Sequence, residues 1–368
     1  MIEKSSYEFA VWIAIIFLIG STIAILTFII ISRVIKSLKS DRLELFKKTF
    51  GKRLNNLIVL EMYSKEGNPP SALTFQLEEM KKEMTGSSEA KQIMVDQMVI
   101  HHENLSGGAA KLIEQTYKLL ELHRFSLKKL RSWSWKKRAR AISELTKMNC
   151  DEAINEIKAI SRSRNKSMSD KGLMALVRLD SQKGLQFLDS YEGDLTRWMQ
   201  LNIHHHLNDI NISLIPDFSR WFDNANLSVR IFAINMAGQF KQSPAIPALT
   251  NLLIHKDNRV VEAAIDALEI MEAHSSFNAL LAVSDRLWMS EKTMAKLANC
   301  IGRLVLPSNG LHELRRFFVH PSYEVRFQAI KAVCLLGSEQ REEMQNFNLT
   351  NGMKYSGILL HVDEPLLN

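Results

Sequence analysis

A unit of about 31 residues recurs along more than half of this chain, and a period of that length calls for stacked supersecondary units rather than one globular core. The template is clearest in Ser228–Phe240 followed by Pro244–Asn258, which reads as a helix, a tight connection, a second helix and a polar turn. The pair Ala233-Ile234 matches Ala141-Ile142, Gly172-Leu173, Asn202-Ile203, Ala264-Ile265, Ala298-Asn299 and Ala329-Ile330, giving successive spacings of 31, 30, 31, 31, 34 and 31. Pro216 and Pro247 keep the same interval, each at the start of a second helix, where the missing N–H costs nothing. Val229, Val260 and Val325 recur ahead of the pairs, two of them followed by Arg230 and Arg326. A small residue lets neighbouring helices approach, and the large one after it fills the layer between units. One unit is too thin to bury its own apolar face, so the units must stack. With only 8 prolines and 15 glycines in 368 residues, a turn-rich β fold is excluded, and the fold class is all-α.

The amino-terminal part obeys a different rule. Phe9 to Ser32 holds 24 residues without a charge. As a helix this is about 36 Å long, enough to cross a hydrocarbon core of about 30 Å. The flank carries Glu3, Lys4 and Glu8 and lacks the basic start of a cleaved leader. Arg33, Lys36, Lys39, Arg42, Lys47, Lys48, Lys52 and Arg53 follow, opposed only by Asp41 and Glu44, a local balance of +6. The positive-inside rule then predicts a single-pass helix over 9–32, an extracytoplasmic stretch at 1–8, and the remainder in the cytoplasm. Leu43, Phe46, Phe50, Leu54, Leu57 and Leu60 form one apolar stripe over 33–64. That segment either continues the membrane helix, lies on the anionic leaflet, or packs against the rest of the chain. Pro69 and Pro70 end it and open a linker, 65–90, around a short charged helix. Two amphipathic helices broken at Ser106 to Gly108 form a cap over 91–131, the array runs over 132–346, and 347–368 closes it.

The first helices around Ala233-Ile234, Ala264-Ile265 and Ala329-Ile330, with the second helix Pro244–Leu253, resemble HEAT repeats. The resemblance implies an α-solenoid of about seven helix pairs. With the anchor added, the whole resembles membrane-tethered HEAT-repeat proteins of bacteria, which implies the inner membrane as location and a partner-binding scaffold as role.

The net charge of +7 has a place as well as a size. Arg124, Lys128, Lys129, Arg131, Lys136, Lys137, Arg138 and Arg140 make a second run of +8 with no acidic residue between them, so everything outside the two basic segments sums to −7. Phe125, Trp133 and Trp135 are interleaved with this collar. Contact with an anionic leaflet or an acidic partner is the first reading, a solvated face with packed tryptophans the second, and nucleic acid the third.

Catalytic patterns are missing. The three cysteines, Cys150, Cys300 and Cys334, form no CxxC pair, and the last two sit in apolar helical runs. Adjacent histidines such as His204, His205 and His206 point about 100° apart on a helix and do not share one metal. Only two His-Glu pairs occur, His102-Glu103 and His312-Glu313, where a di-iron HEAT-like hydroxylase uses four. No phosphate-binding glycine motif or nucleophile elbow is present. The expectation is therefore a non-enzymatic scaffold for a protein partner, without catalytic residue, cofactor or metal. Its partner face is placed on the second helices, at Pro247–Leu253 and Leu311–Phe318. The competing classes are a nucleic-acid binder of the HEAT-like glycosylase kind and a HEAT-like enzyme or lyase.

Overall fold

The computed structural model describes residues 2–63, 71–84, 87–180, 183–285 and 289–364; inside the first two helices the side chains of 2–16, 19, 35, 36, 38–40, 42, 60–63, 71–74, 76 and 84 are outside the description. Every regular element among the described residues is a helix. The chain forms two compact units, residues 1–180 and 181–368, so the array expected over 132–346 is divided between them.

The first unit opens with α1, Ile2–Tyr63, a single helix of 62 residues. Among the described residues no helix is long and apolar enough to cross a membrane. The span expected over 9–32 lies partly outside them, since the side chains of 9–16 and 19 are not described. Within its described part Phe17, Leu18, Ile23, Ile25, Leu26, Phe28, Ile29, Ile30 and Ile31 are each more than half exposed, on all sides of the helix.

The carboxyl half of α1 is covered. Phe50, Leu54, Leu57 and Ile58 are buried, with Phe46 packed at the edge, against Met94, Val95 and Met98 of α3 (Ser88–Asn104) and Leu112, Ile113 and Tyr117 of α4 (Gly108–Leu119). Phe46, Phe50, Leu54 and Leu57 of the stripe thus pack against the chain itself, on a segment that also continues α1 without a break. The expected linker also contributes: α2, Ser71–Met84, seats Met80 in the same core, and its Glu83 accepts from Arg53 of α1 at 2.9 Å. A second core joins α5 (Leu122–Leu130), α6 (Trp135–Lys147), α7 (Ile154–Ser161) and α8 (Lys166–Leu179) through Leu130, Ile142, Leu145, Ile157 and Ala175.

In the second unit long first helices alternate with short second ones. The first helices are α9 (Arg197–Asp209), α10 (Leu227–Gln239), α12 (Asn258–Ile270), α14 (Glu291–Leu304) and α16 (Tyr323–Leu335). The second are a 3-10 turn at Phe218–Trp221, α11 (Ile246–Leu252), α13 (Phe277–Val283), α15 (Gly310–Leu314) and α17 (Ser338–Thr350), with α18 (Ser356–Val362) last. Four of the five first helices, α9, α10, α12 and α14, start on a side-chain cap, whereas α16 follows Ser322 without one. Asn226 accepts from Ser228 N at 2.9 Å, Asp257 from Arg259 N at 2.9 Å and Ser290 from Thr293 N at 3.1 Å, one orphan backbone donor satisfied each time. The recurrent arginines tie the turns: Arg230 donates to Asn224 O at 2.8 Å, and Arg326 to His320 O at 2.6 Å and Pro321 O at 2.7 Å.

All seven matched pairs fall within first helices, counting α6 and α8 of the first unit, and Ala233, Ile234, Ala264, Ile265, Ala329 and Ile330 are fully buried. Two pairs depart. Asn202 is exposed beside buried Ile203, and in α14 the interior residues are Leu297 and Ala298, while half-exposed Asn299 donates to Glu269 at 3.3 Å. The register of that repeat is one residue earlier than the pattern suggests, which brings Gly302 to the close approach that Gly238 makes with Ala267.

Gly302 gives a stability prediction. A Cβ there would lie 2.3 Å from Ala332 Cβ and 3.4 Å from its Cα, so Gly302→Val must push α14 from α16. The expected loss is about 1–3 kcal/mol by urea denaturation. Gly357→Ala, whose new Cβ would meet nothing within 4 Å, serves as control and is expected to be neutral or stabilising.

Candidate interaction surface

The eight collar cations do not form one free charge. Four are neutralised by carboxylates from elsewhere in the first unit. Arg124 pairs with Glu121 at 3.2 Å, Arg131 with Glu156 at 2.6 Å, Arg140 with Asp96 at 2.6 Å and Glu144 at 3.2 Å, and Lys129 closely with Glu144. Lys128, Lys136, Lys137 and Arg138 have no ion pair among the described residues.

Lys129 and Glu144 are the buried part of the collar. Glu144 also accepts from Ser126 at 2.6 Å and from Gln92 at 2.7 Å, and Lys129 donates to Gln92 at 2.8 Å while sitting 4.5 Å from the Phe125 ring centroid. Burial pulls the Lys129 ammonium below the usual lysine range, against the opposing effect of Glu144. This cluster joins α3, α5 and α6, and its role is structural.

Paired and unpaired collar cations together border a groove of about 1470 Å³ between the end of α2, the start of α3, α5 and the start of α6. Lys81, Lys91, Arg124, Lys128, Lys129, Arg131 and Lys137 line it, with Glu121 as the single carboxylate among the described residues. The hydrogen bond and charge of Lys81, with Arg124 beside it, hold the Glu121 carboxyl below its usual range. Leu120, Leu122, Phe125 and Leu127 form the floor, and Phe125 and Leu127 are half-buried. The tryptophans are not packed in a repeat: Trp133 is wholly exposed and Trp135 is 58% exposed, with Lys136 6.0 Å from its ring.

The first basic segment has less visible geometry. Arg33, Lys47, Lys48 and Lys52 are exposed, Lys48 faces Glu44 at 3.4 Å, and Arg53 is held by Glu83. The side chains of Lys36, Lys39 and Arg42 lie outside the described residues.

In the second unit, the second helices turn their apolar residues inward. Leu249, Leu252 and Leu253 of one expected face and Leu314, Phe317 and Phe318 of the other are buried, leaving Pro247, Asn251, His312, Arg315 and Arg316 outside. Exposed apolar side chains also occur on first helices, with Trp198 of α9 57% exposed and Leu201 of α9 and Ile270 of α12 lining a groove of about 660 Å³ together with His204, Asn235 and Glu269. The neighbouring face of α12 and α14 is neutralised by a ladder of Glu262 with Lys292 at 2.9 Å, Asp266 with Lys296, and Glu269 with Arg303 at 2.9 Å.

No group of three metal-ligating side chains forms among the described residues. His205 pairs with Asp209, His204 packs against Phe240, His102 pairs with Glu114 and Glu103 with Lys147. Cys150, Cys300 and Cys334 are buried free thiols, and burial pushes all three up, away from the reactive thiolate.

Residues 216–288 match the family model of HEAT repeats. This HEAT stretch holds α10 to α13, with side-chain caps at Asn226 and Asp257 and the buried pairs Ala233-Ile234 and Ala264-Ile265. No curated protein matches the chain. Among solved structures, an engineered protein is 14% identical, with 80% of this chain and 92% of that one covered and a TM-score of 0.31. Human deoxyhypusine hydroxylase with glycerol is 14% identical over 80% of this chain and 97% of its own, at 0.30. A designed armadillo repeat protein is 14% identical over 71% and 100%, at 0.22. Scores of this size say nothing about activity or partners.

Proposed function

We propose that this protein is a non-catalytic scaffold, held at a bacterial inner membrane by the start of α1, that binds a protein partner on its helical repeats. The observation that carries the scaffold reading is the regular HEAT stretch over 216–288, an architecture whose stacked units present side chains at fixed spacing. Buried, unactivated cysteines and histidines paired with carboxylates or stacked on an aromatic ring support a role without chemistry. Tethering is supported by the uncharged run Phe9–Ser32 and by the unpacked apolar side chains over 17–31. Such a helix is stable in lipid and costly in water. An anchor confines the partner to two dimensions and raises effective concentration without any new contact.

Fractionation tests the tether. The full chain is expected in the membrane pellet after carbonate washing, with the carboxyl-terminal unit accessible only from the cytoplasmic side. A chain lacking 1–32 is expected in the soluble fraction with its helical content otherwise intact and its function lost. Full function of that shortened chain would end the tethering idea.

A further inference from the structure

We propose that the groove between the start of α3 and α5 receives an acidic, amphipathic segment of the partner. The inference rests on the scaffold reading and adds the partner's chemistry. Around the rim, Lys91, Lys128 and Lys137 have no ion pair among the described residues, whereas the groove's carboxylate, Glu121, is already held by Lys81 and Arg124. The start of α3 opens onto the same rim through Ser87 and Ser88, which adds the positive end of a 17-residue helix. The floor is apolar, and Phe125 and Leu127 are half-exposed to whatever lies above them. Cations over an apolar floor complement a helix that carries carboxylates on one face and leucine or phenylalanine on the other. Wholly exposed Trp133 follows Ser132 of the groove lining and offers a flanking apolar contact.

Two other polyanions fit less well. For the anionic leaflet, reach is the obstacle. The groove lies beside the end of α2, which pairs with Arg53, and Arg53 is 21 helical steps from Ser32. At 1.5 Å each that is a rise of about 32 Å along α1, several times the Debye length of about 8 Å at physiological salt. For nucleic acid, the aliphatic floor is the obstacle: bases stack on aromatic side chains, and here three leucines surround one phenylalanine, with Glu121 beside them.

The test uses the full chain in nanodiscs of phosphatidylcholine. The probes are a fluorescein-labelled peptide with leucine and phenylalanine at helical spacing and glutamate elsewhere, its lysine-for-glutamate counterpart, and a single-stranded oligonucleotide of equal length. The acidic peptide is expected to bind saturably and at least about tenfold more weakly to Lys128→Glu/Lys137→Glu, while the basic peptide does not bind. Unchanged helical content of that variant by circular dichroism shows that the fold is intact, and Phe125→Ser, which removes the floor's ring together with its contact to Lys129, is expected to weaken binding as well with helical content again unchanged. Absence of acidic-peptide binding, equal binding to the charge-reversed variant, or tighter binding of the oligonucleotide would each overturn the proposal. So would full displacement of the peptide by phosphatidylglycerol nanodiscs. A partner still recovered by the charge-reversed chain removes the groove and leaves the scaffold reading standing; no partner recovered by the native chain removes the scaffold reading itself.

Discussion

Replacing Glu144 with leucine is expected to destabilise the first unit by about 3–5 kcal/mol, the usual cost of leaving one member of a buried ion pair alone. The side chain of Glu144 is 5% exposed and that of Lys129 13% exposed, so neither charge has water to fall back on. The carboxylate takes Lys129, Ser126, Gln92 and Arg140 together, and its loss strands the ammonium between α3, α5 and α6. Arg140 keeps Asp96 and suffers less. Urea denaturation of the full chain checks this. Glu144→Leu combined with Lys129→Met is expected to recover most of the loss, since removing both charges leaves an apolar pair in their place. A single variant as stable as the native chain would mean that α3 is held by its apolar contacts alone.

A comparable loss is expected in the second unit from Phe218→Ala, again about 3–5 kcal/mol. Phe218 is fully buried, with ring centroids 5.7 Å from Trp221, 6.2 Å from Phe232 and 6.2 Å from Phe240. It joins the 3-10 turn to α10, so the cavity would open at the edge of the HEAT stretch. Trp221→Phe should cost less, about 1.5–3 kcal/mol, because the smaller ring keeps part of the packing while the hydrogen bond from Nε1 to the Asp189 carboxylate at 2.7 Å is lost. Thermal denaturation separates the two variants, and a Phe218→Ala protein that melts with the native one would contradict this packing.

Periodicity carries a long way in this chain, and its failures have physical causes. Ala233-Ile234 and its buried equivalents mark the first helices because a small residue and a large one alternate wherever two layers meet. Asn299 broke the register because an asparagine at the surface of α14, bonded to Glu269, occupies the place the pattern gives to a large apolar residue. The stripe from Phe46 to Leu57 showed which face of α1 would be covered, but not by what. Its partners, Met94, Met98 and Ile113, lie beyond a proline-containing stretch that local pattern does not cross.

The collar was legible as charge and illegible as geometry. Asp96, Glu144 and Glu156 neutralise it from other helices, so a run that sums to +8 along the chain keeps only Lys128, Lys136, Lys137 and Arg138 without ion pairs among the described residues. α5 reads in the sequence as part of a broader cap because its nine residues hold one short apolar face between lysines. The groove combines residues from 81 to 137, a set no sequence window contains.

Crosslinking followed by affinity recovery from solubilised membranes tests the central claim most directly. The account predicts one protein partner in stoichiometric amount with the full chain, lost when 1–32 is removed, although the helical array still folds. Recovery of no stoichiometric partner from membranes, or recovery of the same partner by the shortened soluble chain with full function, would contradict it.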